Sequence, residues 1–202
     1  DWELRPDAMP VHTVRLTKDT VIAKEPVSYA LYLEYARETG IKNPDVREYR
    51  GYVIGVSWQD ASDFCQWLSE KEGQTYRLPT EAEWEYCART SKNTGVDRMC
   101  DQHLREWCFD WYDRYSAEEQ TDPAGSKTGD YKVVRGGYLD NPTRYNAHPL
   151  DVWMRCALPR LYRHFPEDVE NEFGRHTIGF RVVRGEIPVP QKDYSYSRLT
   201  ET

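Results

Sequence analysis

The 202-residue chain lacks the features that mark membrane-spanning, nucleic-acid-binding and secreted glycosylated proteins. No apolar run approaches the ~20 residues that a membrane helix needs, so no membrane span is predicted and a soluble protein is expected. No Lys/Arg-rich run occurs and the net charge is −7, which argues against a nucleic-acid partner. No Asn-x-Ser/Thr acceptor with a non-proline middle residue and no signal peptide is visible. A leader before Asp1 is not excluded, so the compartment stays open.

The spacing of the cysteines argues against two further motifs. The five cysteines are an odd number and contain no Cys-x-x-Cys, so neither a zinc ribbon nor a thioredoxin-like motif is indicated. They are Cys65, Cys87, Cys100, Cys108 and Cys156. Cys65 and Cys87 fall on the inner faces of predicted helices, where we expect them to act as small buried apolar groups.

Aromatic residues are plentiful. Hydrophobic residues make up 39% of the chain, and 15 Tyr and 7 Trp are among them. Such rings can anchor an irregular loop by packing one face while the polar tip makes a hydrogen bond. We therefore expect a loop-rich domain over residues 1–187, followed by a polar tail at 188–202.

Periodicity and capping residues predict three helices. The first is expected over 26–39. The second is expected to start at the N-cap Ser57 and to stop at Gly73. Thr80 is expected to cap the third, and Glu83 three residues later completes a capping box.

Short strands are predicted in the rest of the chain. Two are expected within 11–24, and others over 106–112, 131–135 and 178–183. The sequence at 122–125 predicts a turn.

Two sets of charged residues receive a structural interpretation. Glu81, Glu83 and Glu85 are expected to form a charged helix face and a cap, because positions i and i+2 do not face each other as an acid/base pair would. Arg181 is expected to be a buried arginine paired with a core carboxylate such as Glu106 or Asp110.

Seven motifs, in this order and spacing, resemble the formylglycine-generating enzyme (sulfatase-modifying factor) family. They are Asp7-x-x-Pro10-x-His12-x-Val14, Val56-Ser57-Trp58-x-Asp60-Ala61, the run from Arg77 to Tyr86, Glu106-Trp107-Cys108-x-Asp110-Trp111-Tyr112, Asp122-Pro123-x-Gly125, Val134-Arg135-Gly136-Gly137 and Gly179-Phe180-Arg181-Val182. The resemblance implies an α+β, elaborated C-type-lectin-like fold. That fold has small antiparallel sheets, two or three helices and long ordered loops.

The resemblance also shows what is missing. In that family a close pair of cysteines shortly after the Arg-Gly-Gly binds copper and oxidises a substrate cysteine. Here the stretch from Tyr138 to Met154 contains no cysteine. We therefore expect formylglycine formation by the copper-thiolate route to be absent. In some relatives a cysteine near the Cys87 position forms a disulfide with one at the Cys156 position. Here Cys87 is shifted by one residue from the position in those relatives, so the sequence does not decide whether the disulfide forms.

The family's calcium region is shortened in this chain. Relatives carry a longer insertion with calcium ligands before the Glu-Trp strand. Here Glu106 and the carbonyl groups of Gln102 and Leu104 are the candidate ligands. Calcium needs six to eight oxygen ligands, so we expect at most one calcium site, with fewer protein ligands than in the relatives.

By resemblance, the segment 138–176 is the working surface. Its arginines suit carboxylates and its aromatic faces suit flat or cationic groups of a protein or small-molecule ligand. The candidate ligand-binding residues are Tyr138, Asn141, Arg144, Tyr145, His148, Trp153, Arg155, Arg160, His164 and His176.

Two functions are consistent with this surface. One is a binding scaffold, as in the variable proteins of diversity-generating retroelements. The other is a divergent oxidoreductase, as in relatives of siderophore and sulfur-histidine metabolism. His148, His164 and His176 with Asp151 or Glu167 could form a two-His-one-carboxylate iron site, but their spacing does not bring them together. Because neither iron nor copper has a clear ligand set, the binding scaffold is favoured. The chain could also be part of a larger protein.

Overall fold

The computed structural model describes residues 8–42, 44–90, 104–136, 155–163, 177–190 and 192–193. They form three helices and several small sheets. The helices are α1 (Tyr29–Glu38), α2 (Trp58–Glu72) and α3 (Glu81–Thr90). The strands are β1 (Val14–Arg15), β2 (Val21–Ile22), β3 (Arg47–Tyr49), β4 (Tyr52–Ile54), β5 (Tyr76–Arg77), β6 (Arg105–Trp111), β7 (Gln120–Thr121), β8 (Tyr131–Gly136), β9 (Arg155–Pro159), β10 (Ile178–Gly179) and β11 (Val183–Arg184).

The largest sheet has four strands in the order β10-β6-β8-β9. Strands β6, β8 and β9 are antiparallel neighbours, whereas β10 runs parallel to β6. A three-stranded sheet, β2-β11-β5, lies beside it, and β3-β4 and β1-β7 form two-stranded pairs. The four-stranded sheet is the element that positions the candidate site described below.

The helix ends follow from the capping residues. Ser57 accepts a hydrogen bond from the Asp60 amide at 3.1 Å, and Gly73 ends α2 in the left-handed region at φ 64°. Both predictions for α2 are confirmed. The first helix begins at Tyr29 rather than at Pro26, because Ser28 is its N-cap and accepts from the Leu31 amide at 3.2 Å.

The strand predictions are confirmed in part. The predicted strands at 106–112 and 131–135 are β6 and β8. The continuous strand predicted at 178–183 is wrong. That segment is divided between β10 and β11, which belong to different sheets. The β3-β4 hairpin and β9 were not predicted, because their short runs of mixed polarity show no clear period of two.

The main core lies between the four-stranded sheet and helices α1 and α2. Phe64 on α2 contacts Phe180 with ring centroids 5.3 Å apart, and Tyr32 on α1 stacks on Phe64 at 5.9 Å. Trp107 on β6 is fully buried and donates from Nε1 to the Val56 carbonyl at 2.9 Å. Within the described residues, no helix is long and apolar enough to cross a membrane.

The prediction that Glu81, Glu83 and Glu85 form a charged helix face and a cap is confirmed for the cap, but two of the three residues do not face solvent. Glu81 and Glu83 are buried. Glu83 completes the predicted capping box with Thr80 and also binds Arg77 through two contacts of 2.7 and 2.8 Å. Arg77 on the neighbouring strand β5 neutralises Glu83, whereas Arg135 and Arg155 on the distant strands β8 and β9 neutralise Glu81. The helical pattern alone does not reveal these partners.

Candidate functional site

One end of the four-stranded sheet collects the segments that hold most of the predicted site. Arg105 at the start of β6 pairs with Ile178 of β10 on one side and with Gly136 of β8 on the other. Arg135 of β8 pairs with Arg155, the first residue of β9. Segment 137–154 therefore leaves and rejoins the described residues at this place, which we call the loop end of the sheet, and segments 91–103 and 164–176 rejoin them here.

Most of the predicted site residues lie on those segments, outside the described residues. They are Gln102, Tyr138, Asn141, Arg144, Tyr145, His148, Trp153, His164 and His176. The site predictions for them stay predictions. Arg155, Arg160, Glu106 and Leu104 are described.

Arg155 is buried at the loop end and is held from several directions. Its Nε and Nη2 donate to Glu81 at 2.8 and 2.6 Å, and its Nη1 donates to the Asp113 carbonyl at 2.8 Å. The guanidinium lies 4.3 Å from the ring centroid of Tyr112 and 4.1 Å from that of Tyr115. These contacts fix the backbone where residues 137–154 return to the sheet.

Arg135, the arginine of the Arg-Gly-Gly motif, fixes the backbone where that segment leaves. Its Nη1 donates to Glu81 at 2.8 Å and its Nη2 donates to Glu85 at 2.7 Å. Burial alone would raise the pKa of Glu81, but Arg155 and Arg135 outweigh burial and hold the pKa below its usual range. Glu81 thus joins both ends of the segment 137–154 to helix α3.

Arg160 lies apart from this cluster. Its side chain is exposed, and its backbone carbonyl accepts from the Gln59 amide at 3.3 Å. Three residues later, Arg163 contacts Asp60 at 2.5 Å. The stretch that follows β9 is therefore attached to the first turn of α2.

The predicted pairing of Arg181 is confirmed, and Glu106 is its partner. Arg181 donates from Nε and Nη2 to the two oxygens of Glu106 at 2.5 and 2.6 Å, and Trp84 donates to the same carboxylate at 3.0 Å. Both carboxylate oxygens of this predicted calcium ligand therefore face protein donors. Leu104 is buried and Gln102 is outside the described residues, so the calcium site stays a prediction.

The described cysteines are all free thiols. Cys65 and Cys108 are buried, and burial raises the pKa of each thiol. Cys87 and Cys156 are half-buried and do not form the disulfide of some relatives. Within the described ranges, no cluster of three or more His, Cys, Asp or Glu side chains could hold a metal ion.

Comparisons with known proteins agree with this architecture. A family model described as "Sulfatase-modifying factor enzyme 1-like domain" matches residues 2–101. The serine/threonine-protein kinase pkn1 of Chlamydia pneumoniae is 33% identical in an alignment 158 residues long that covers 60% of this chain and 23% of that protein. The formylglycine-generating enzyme of Streptomyces coelicolor is 31% identical in an alignment 146 residues long that covers 48% of this chain and 45% of that enzyme. The chain thus spans less than half the length of both relatives.

The solved structure of PvdO from Pseudomonas aeruginosa superposes with a TM-score of 0.64 at 19% identity. The superposition covers 90% of this chain and 86% of that one. The fold is accordingly the elaborated C-type-lectin-like fold. The chain belongs to the formylglycine-generating enzyme (sulfatase-modifying factor) family, and it has no cysteine between Tyr138 and Met154, where that family carries its copper-binding pair.

Proposed function

We propose that this domain is a binding scaffold that uses the surface 138–176 to hold a protein or small-molecule ligand. The observation that carries the proposal is the arrangement at the loop end of the sheet. There Arg135 and Arg155, the residues on either side of the segment 137–154, are buried and bound to one carboxylate, Glu81. A rigid base under a chemically varied loop is a common design for recognition.

The residue types on the loop support recognition of acidic and aromatic groups. Arg144 offers a planar fork that can bind a carboxylate through two hydrogen bonds. Trp153 and Tyr145 offer aromatic faces that contribute large contact areas with few rotatable bonds. Arginine and tryptophan are also the residue types that dominate binding energies at protein interfaces.

Selection of peptides displayed on phage against the purified domain tests this proposal directly. We expect the selected peptides to carry carboxylates and aromatic side chains and to bind saturably. The double variant Arg144→Ala/Trp153→Ala should raise their Kd by at least about tenfold, because such residues are worth roughly 2 kcal/mol or more at the centre of an interface.

The matched control is Arg37→Ala, which removes an arginine exposed on α1. It should leave the Kd unchanged. Equal binding of the selected peptides by the wild type and by the double variant would place recognition elsewhere and overturn the proposal.

A second candidate function is oxidation chemistry at the same surface. The observation that favours it is the 31% identity to a formylglycine-generating enzyme. The copper-thiolate route requires soft thiolate ligands held close together, and the stretch 138–154 supplies none. An oxidoreductase built on this chain would therefore need a different ligand set, such as His148, His164 and His176 with a carboxylate.

A further inference from the structure

A cleft of about 930 Å³ opens between the N-terminal segment, helix α3 and the loop that follows β6. Its volume falls in the range of small-molecule sites, about 300–1,000 Å³. Among the described lining residues only Arg155 belongs to the surface 138–176. The described walls of the cleft therefore come almost entirely from outside that surface.

The floor of the cleft carries a few convergent polar groups. Tyr115 covers the Arg155 guanidinium, and the His12 ring lies against Tyr115 with centroids 5.0 Å apart. His12 Nδ1 is 3.1 Å from the Pro10 carbonyl. A carbonyl only accepts, so Nδ1 carries the proton and Nε2 of the neutral ring is an acceptor. Within the described part of the chain, Nε2 of His12 makes no hydrogen bond.

The mouth of the cleft is apolar and exposed. Val11 and Val189 line it, and these two residues are 82% and 72% exposed. Val14 and Tyr86 line it as well and are also among the exposed large hydrophobic residues. A concave surface with an apolar mouth and a small number of polar groups is the usual form of a ligand site.

Several of the charges around the cleft are already paired. Glu81 is bound by Arg155 and Arg135, whose contacts are given above. Asp113 lies 3.1 Å from Lys192, and Glu119 lies 3.3 Å from Arg15. A charged ligand would have to compete with these pairs, whereas an uncharged ligand leaves them intact.

We propose that the cleft is a binding site for an uncharged small molecule with a flat apolar body and one hydrogen-bond donor. The apolar body contacts Val11, Val14 and Val189 at the mouth. The donor, a hydroxyl or an N–H group, reaches His12 Nε2.

The probe N-phenyl-1-naphthylamine has this chemistry, since it is uncharged, aromatic and carries one N–H donor. Its fluorescence in a titration of the purified protein should rise and saturate at one probe per chain. The double variant Val11→Asp/Val189→Asp should raise the Kd about tenfold or more, because it removes apolar contact at the mouth. His12→Ala should raise it by a smaller factor. The anionic analogue 8-anilinonaphthalene-1-sulfonate should bind more weakly than the neutral probe.

Two variants serve as controls. Ile41→Asp changes an exposed residue outside the cleft and should leave the Kd unchanged. Trp153→Ala, on the surface 138–176, should also leave the Kd of the probe unchanged. This test is therefore independent of the proposed function. Thermal melting would show that each variant is folded. Non-saturable binding to the wild type, equal binding by the double valine variant, or tighter binding of the sulfonate would each overturn the proposal.

Discussion

At the scale of single residues, Glu81 is the group on which the loop end of the sheet depends most. It is buried and accepts three hydrogen bonds from the guanidinium groups of Arg135 and Arg155. A buried ion pair contributes little compared with an apolar substitute, but removing one partner leaves the other charge uncompensated. Here the loss of Glu81 would remove the carboxylate that two buried arginines share, although Arg135 would keep its contact with Glu85.

We therefore expect Glu81→Ala to lower the free energy of unfolding by about 3–5 kcal/mol. Urea denaturation at neutral pH measures this change. Glu70→Ala removes an exposed glutamate from α2 and should change the free energy by less than about 0.5 kcal/mol. A Glu81→Ala variant as stable as this control would show that the cluster does not hold the loop end.

Asp110 gives a prediction about pH at the same scale. It is buried and accepts a hydrogen bond from the Glu81 amide at 2.7 Å, and burial followed by the nearby Glu81 charge raises its pKa from 3.8 to about 7. Between these values the folded protein retains a proton that the unfolded chain has lost. The contribution of Asp110 to stability is therefore fully present below pH 3.8 and is lost as pH rises through about 7.

The free energy of unfolding of the wild type, relative to Asp110→Asn, should fall as pH rises from about 4 to about 7. Denaturant titrations at several pH values measure this difference. Asp45→Asn, at an exposed position, is the control and should follow the wild type. If the difference in free energy of unfolding between the wild type and Asp110→Asn rises or stays constant over this range, the pKa of Asp110 is not raised in the folded protein.

At the scale of secondary-structure elements, local signals determined the helices, while the strands depended on distant partners. Ser57, Gly73 and Thr80 act as caps or stops within a few residues of their own positions, so the sequence could predict them. The division of residues 178–184 into β10 and β11 could not be predicted from such local signals. Strand β10 pairs with β6, whereas Val183 of β11 pairs with β2 and β5.

The glycine of the Gly-Phe-Arg motif shows how closely these elements approach. A Cβ atom at Gly179 would lie 2.7 Å from the carbonyl oxygen of Val53, which is a backbone atom and cannot move away cheaply. We expect Gly179→Ala to destabilise the protein by about 1–3 kcal/mol, as measured by denaturant unfolding. Gly185→Ala, where the nearest atom is the Thr20 methyl at 3.2 Å, should cost less. The reverse order would contradict this account.

At the scale of the whole molecule, the sequence predicted the family, the fold and the pairing of Arg181, because each depends on motifs with fixed order. It did not predict the buried role of Glu81, since Arg135 and Arg155 lie more than fifty residues further along the chain. It also gave no sign of the cleft. Segments that are far apart in the sequence form that cleft, and none carries a motif that indicates a ligand site.

We propose that this family member presents a recognition surface in place of a copper-thiolate centre. Plasma mass spectrometry of protein purified without chelator, with a count of free thiols, is the decisive test. We expect neither copper nor iron to approach one atom per chain. One copper or iron atom per chain, lost on substitution of His148, His164 or His176, would overturn the binding-scaffold proposal and favour a metal-dependent oxidoreductase.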